Sequence, residues 1–200
     1  RGNHRDDGED VEAGVAAGLP LYLQTAARGI GVINGLDASF HPFIGFAGYK
    51  EIAALPLAQR AAAMREPARK ALILSQKSQP LAGDGTPVPP LVDILLARIE
   101  LISGRMFPLC TAQQPVPDYE PDVRKSFLAQ ARQRGVSALE VLYDYLCEDS
   151  GGNLIYFPIF NYNDGSLDVV RRMLDHPRAL FALSDSGAHV GTVCDASFST

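Results

Sequence analysis

The residues best able to do chemistry lie in Ser184-Asp185-Ser186-Gly187-Ala188-His189, directly after an unbroken apolar run, Ala179 to Leu183. A short apolar run without polar alternation reads as a strand buried on both faces. Parallel α/β folds place their chemistry at the C-terminal ends of such strands. A carboxylate at Asp185 could ligate a metal or act as a general base toward water. It could equally cap a helix or close a turn. His189, four residues on, would share a helix face with Asp185, but Gly187 favours a loop, where a histidine commonly bonds backbone. Ser184, Asp185 and His189 are not read as a nucleophilic triad. No Gly-x-Ser-x-Gly elbow is present, and triads are defined by geometry rather than nearness in sequence.

Other candidates are spread along the chain. Asn161-Tyr162-Asn163 closes an earlier strand and would share a rim with Asp185 if the two strands are parallel. Its residues could hydrogen-bond a ligand, or simply make the turn that Asn163-Asp164-Gly165 encodes. His41, before Pro42 in an aromatic segment, is either core packing or a substrate wall. Cys194 beside Asp195 could be a nucleophile or ligand, although a small buried thiol is the plainer reading. Neither His-x-His nor His-Glu-x-x-His occurs, and Gly29 to Gly35 lacks the Walker pattern of a phosphate loop.

Composition narrows the class. The chain has 200 residues, 46% of them hydrophobic and 20% charged, enough for one well-buried core. A net charge of −5 argues against a nucleic-acid surface, which needs clustered Lys and Arg. No run of about 18 apolar residues exists, so no membrane span is expected. Cys110, Cys147 and Cys194 match no disulfide framework and no Cys-x-x-Cys site. This pattern favours a reducing compartment, so the cytoplasm is the expected location, with an N-terminal signal upstream left open.

The elements that must position these residues follow from patterning. Leu19 to Gln24 reads as a strand after a helix tail ending at Gly18. Residues 29–35 are too glycine-rich for a helix and read as loop or bent strand, and 36–49 as an ordered aromatic loop. Residues 50–78 are helical, broken and restarted at Pro67. Residues 79–90 form a Pro/Gly linker; 91–101 are helix or strand. Residues 121–134 form a helix stopped by Gly135. Ser137 with Glu140 is a reciprocal capping box opening the next helix. A strand over residues 153–160, a helix from about Leu167 with Ser166 as its cap, and the strand before Asp185 then read as a βαβ unit with parallel pairing. The architecture is therefore α/β, barrel or doubly wound.

The sequence from Leu183 to His189, followed by Cys194-Asp195-Ala196-Ser197-Phe198 and Thr200, resembles the last-strand motif of the N-acyl-D-amino-acid deacylase (D-aminoacylase) branch of the amidohydrolase superfamily. Gly35-Leu36-Asp37 with His41-Pro42-Phe43, Arg105 to Leu109, Pro117 to Pro121, and Asn161-Tyr162 with Asp164-Gly165 fit the same branch, so the resemblance covers the chain from about Leu19 onward. It implies a (β/α)8 TIM-like barrel, of which residues 1–200 are the second half, with a long helical and irregular insertion over 35–120 that could act as an active-site lid. It implies one or two divalent metals, usually Zn2+, with Asp185 at the metal and shuttling a proton from metal-bound water to the leaving amine. The substrate implied is a small N-acyl amino acid, with His189, His41, Asn161 and Tyr162 as candidate substrate contacts and Phe43 and Tyr49 as further lid contacts. The family's remaining histidine and cysteine ligands are expected upstream, so the chain alone is expected to be inactive. A cyclic-amide hydrolase of the dihydroorotase or hydantoinase kind, or a non-catalytic barrel remnant that binds a ligand or partner, are the alternatives.

Overall fold

The computed structural model describes residues 4–81, 90–111 and 114–182. The described chain is mixed α/β. Helix α1 (His4–Ala16) ends at Gly18, which takes a left-handed φ of 85°. Strand β1 (Leu23–Ala26) follows, then β2 (Ile30–Gly35). A turn-rich segment leads through the short helix α2 (Ala47–Lys50) to α3 (Leu57–Arg65) and α4 (Pro67–Ser75). Pro67 occupies the first turn of α4, where its missing N–H leaves no bond unmade. The ambiguous run after the linker is helical, as α5 (Pro90–Leu96) and α6 (Ile99–Ile102). A two-residue strand β3 (Phe107–Pro108) precedes α7 (Phe127–Arg134) and α8 (Ala138–Cys147). Strand β4 (Leu154–Phe160), α9 (Asp168–Leu174) and β5 (Ala179–Ala182) complete the described chain.

Two small sheets carry the topology. One is β2-β4-β3, antiparallel throughout; the other is the parallel pair β1-β5, with Leu23 opposite Ala179 and Ala26 opposite Ala182. The expected parallel pairing of β4 with β5 does not occur among the described residues. Both edges of β4 are already taken, by β2 and β3, so β5 finds its partner in β1, and α9 packs against that pair. No closed barrel is formed among the described residues.

Pro158 lies in the middle strand without breaking it. β3 reaches only Tyr156 and Ile155, and Pro158 sits opposite Gly31, where the β2 register shifts. A Cβ on Gly31 would meet the Phe157 carbonyl oxygen at 2.3 Å, so only glycine allows this approach. Arg105 Nη2 donates to the carbonyls of Pro158 (3.1 Å) and Ile159 (2.9 Å), taking over where β3 stops.

The main core lies between this sheet, α8 and the segment around α2–α4. Leu36, Phe43, Phe46, Tyr49, Met64 and Ile73 pack with Phe127, Leu142, Tyr143, Leu146, Ile155 and Phe157. The 35–120 stretch thus supplies a large share of the buried core. Tyr143 Oη donates to the Met64 carbonyl at 2.7 Å, and Lys70 bridges Glu140 (2.9 Å) and Asp144 (2.7 Å), locking α4 and α3 to α8.

Candidate functional site

Two strand ends meet in one place. β1 ends at Ala26, opposite Ala182, the last described residue of β5, and Asn161, one residue past β4, reaches Arg28, two residues past β1. Asn161 sits at φ 62°, a left-handed conformation that asparagine tolerates better than most residues. From there its Nδ2 donates to the Arg28 carbonyl at 3.3 Å. The next residue, Tyr162, is buried; its Oη donates to the Pro121 carbonyl at 2.6 Å and its ring lies edge-on to Phe107. Burial, with Glu120 and Asp118 nearby, pushes this phenol well above its ordinary range, so it acts as a fixed neutral donor. Gly29 fits tightly beneath: a Cβ there would lie 2.9 Å from Tyr156 Oη.

Arg28 is the unusual member of this group. It is 5% exposed. Among the described residues its Nη1 touches only the neighbouring Gly29 carbonyl, at 3.3 Å, and its buried Nη2 has no hydrogen-bond partner. No acidic side chain forms an ion pair with it among the described residues. No motif in the sequence contains Arg28. The signal was present in plain form: one arginine between a strand end and a glycine.

His41 lies elsewhere, inside the main core and 1% exposed. Its Nδ1 accepts the Phe43 amide at 3.2 Å, and its ring stands edge-on to Tyr49 at 4.5 Å between centroids. Burial first, and the Arg60 charge second, lower its pKa to about 3. Arg60 Nη1 in turn donates to Tyr49 Oη (2.8 Å) and the Leu36 carbonyl (2.6 Å). Phe43 and Tyr49 belong to the same buried cluster. The structure therefore brings Asn161 and Tyr162 together with Arg28 and holds His41 apart from them in the core. Asp185, His189 and Cys194 lie outside the described residues, as does the other half of any arrangement built on them.

An open cleft of about 1130 Å3 lies between residues 108–125 and α8, with Cys110, Asp118, Lys125, Arg134, Tyr145 and Asn153 among its walls. None of the sequence-derived candidates among the described residues lines it. Part of its charge is engaged with protein groups: Lys125 contacts Asp118 at 3.2 Å and Arg134 contacts Asp144 at 3.1 Å.

No group of three His, Cys, Asp or Glu side chains able to hold a metal occurs among the described residues. His41 uses Nδ1 within the core, and His176 pairs with Glu12 at 3.1 Å while accepting the Arg178 amide. The described residues thus supply no metal ligand set of their own, and Asp185, the ligand that the sequence resemblance implies, lies outside them. No helix among them is long and apolar enough to cross a membrane. In comparisons with known proteins, no family model, no curated protein and no solved structure gave a significant match to the chain.

Proposed function

We propose that this chain is the second-half segment of a metal-dependent amidohydrolase of the (β/α)8 kind, hydrolysing the amide of N-acyl-D-amino acids. The observation that supports the reading best is the parallel pairing of β5 with β1, closed by Ala26 opposite Ala182. In sequence Asp185 follows Ala182 by three residues, and β1 and β4 carry Arg28 and Asn161 just past their own C-terminal ends. Ligands in parallel α/β folds bind outside such C-terminal strand ends. The motif around Asp185 supplies the chemistry: a carboxylate that accepts a proton from the attacking water and delivers it to the leaving nitrogen. The amide C–N bond breaks, the acyl carbon gains the water oxygen, and the products are a carboxylate and a free amino acid. Besides Asp185, the metal ligands that this reading requires are expected upstream of residue 1.

The test uses the protein together with its upstream ligand-bearing region. N-acetyl-D-alanine is expected to release D-alanine, with activity lost on chelation and restored by Zn2+. Asp185→Ala should lower kcat by about a hundredfold or more, the usual contribution of a positioned acid–base group, while far-UV and near-UV circular dichroism stay unchanged. Near wild-type kcat in Asp185→Ala would remove this residue from the mechanism. Absence of D-alanine release from the metal-loaded protein would remove the substrate class.

A further inference from the structure

We propose that Arg28 is a carboxylate seat, its guanidinium holding the carboxylate of a bound organic acid. A guanidinium remains charged at all working pH values. Burying one without an anion is strongly unfavourable, so the native state gains most from a ligand that supplies the missing charge. Nη2 is the open valence: among the described residues it is buried and makes no hydrogen bond, while Nη1 makes only a long contact to Gly29. A planar carboxylate matches the guanidinium fork with two parallel N–H···O bonds, which a spherical anion cannot do as well.

The position is also built. Asn161, in its left-handed conformation, clamps the Arg28 carbonyl from the end of β4. Gly29 is wedged against Tyr156, Pro158 and Tyr162, and Tyr162 is itself fixed to Pro121. The backbone that carries the guanidinium is therefore set before any ligand arrives, which limits the ordering that binding requires. Because Nη2 is shut from solvent, association should be slower than diffusion allows. Under the hydrolase reading above, on which only this last identification rests, the carboxylate is the free α-carboxylate of the N-acyl amino acid.

The experiment follows the Arg28 Nε–H resonance of 15N-labelled protein, assigned by its loss in Arg28→Lys. The protein is titrated with sodium acetate, with N-acetyl-D-alanine, and with N-acetyl-D-alaninamide, which keeps the shape and lacks the charge. Acetate and N-acetyl-D-alanine should shift the signal in a saturable way, and the amide should not. Arg28→Met should weaken acetate binding by about tenfold or more, as expected for loss of charge-assisted hydrogen bonds. If that variant fails to fold, the wild-type contrast between acid and amide decides alone. A resonance unmoved by acetate, or moved equally by the amide, overturns the proposal. Saturable acetate binding in a protein that never hydrolyses N-acyl-D-amino acids leaves the seat standing and removes only the hydrolase reading.

Discussion

His41 Nδ1 accepts the Phe43 amide, and its ring lies against Tyr49, to which the part-buried Arg60 donates. Burial away from water first, and the Arg60 charge second, disfavour the imidazolium, which is why its pKa falls to about 3. In the unfolded chain a histidine titrates near 6.5. Between these values the unfolded state binds more protons than the native state, so the associated stability is complete above about pH 6.5 and is lost as pH falls toward 3. The loss approaches about 1.4 kcal/mol per pH unit. Urea unfolding at pH 7 and pH 5 should therefore show the wild-type protein losing about 2 kcal/mol from this group. His41→Asn keeps an acceptor for the Phe43 amide and should lose much less. An equal loss in both proteins would show that His41 does not govern this range. Histidine before proline in an aromatic segment was legible as either packing or a substrate wall, and only burial separates the two. Asn34 makes the same point: both its amide atoms are buried without a partner, inside a strand whose glycines drew the attention.

At the scale of elements, the sequence was most readable where a local rule acts alone. Gly135 ends α7 at φ 68°, and Ser137 Oγ accepts the Glu140 amide at 3.1 Å to open α8. The reciprocal half of that capping box is absent. The Glu140 carboxylate is drawn to Lys70 on α4 at 2.9 Å, a tertiary partner that no local pattern reveals. The two residues should therefore separate experimentally. Ser137→Ala should destabilise by about 1 kcal/mol, the usual value of a lost N-cap. Glu140→Gln should cost well under 1 kcal/mol, since it loosens a half-exposed ion pair. Denaturant midpoints for the two variants test this, and a Glu140→Gln effect larger than that of Ser137→Ala would contradict it. Strand pairing was the least legible feature. Short connections around α9 suggested β4 beside β5, but edge availability decides pairing, and the edges of β4 were occupied by β2 and by the two-residue β3.

Across the whole molecule, burial is uneven, and stability should follow it. The β2-β4-β3 sheet lies against the main core through Ile155, Phe157 and Leu36. The β1-β5 pair has α9 on it but keeps large apolar side chains in water: Phe181 is 69% exposed, Tyr22 56% and Leu180 51%. Parallel strands normally have both faces covered, and two strands alone do not make an independently stable sheet. The pair therefore gains little from burial and should open at low free energy, while β2-β4 opens only with the whole protein. Native-state hydrogen exchange distinguishes the two directly. Amides of Leu23 to Ala26 and Ala179 to Ala182 should exchange orders of magnitude faster than those of Val32 and Ile155 to Phe157. Joining the upstream region that the hydrolase reading requires should slow β1-β5 exchange toward that of the main sheet, because new strands and helices would cover Phe181 and Leu180. Protection of β1-β5 equal to β2-β4 in this chain alone would mean that the parallel pair is a finished unit, and the need for a further half of a barrel would fall with it.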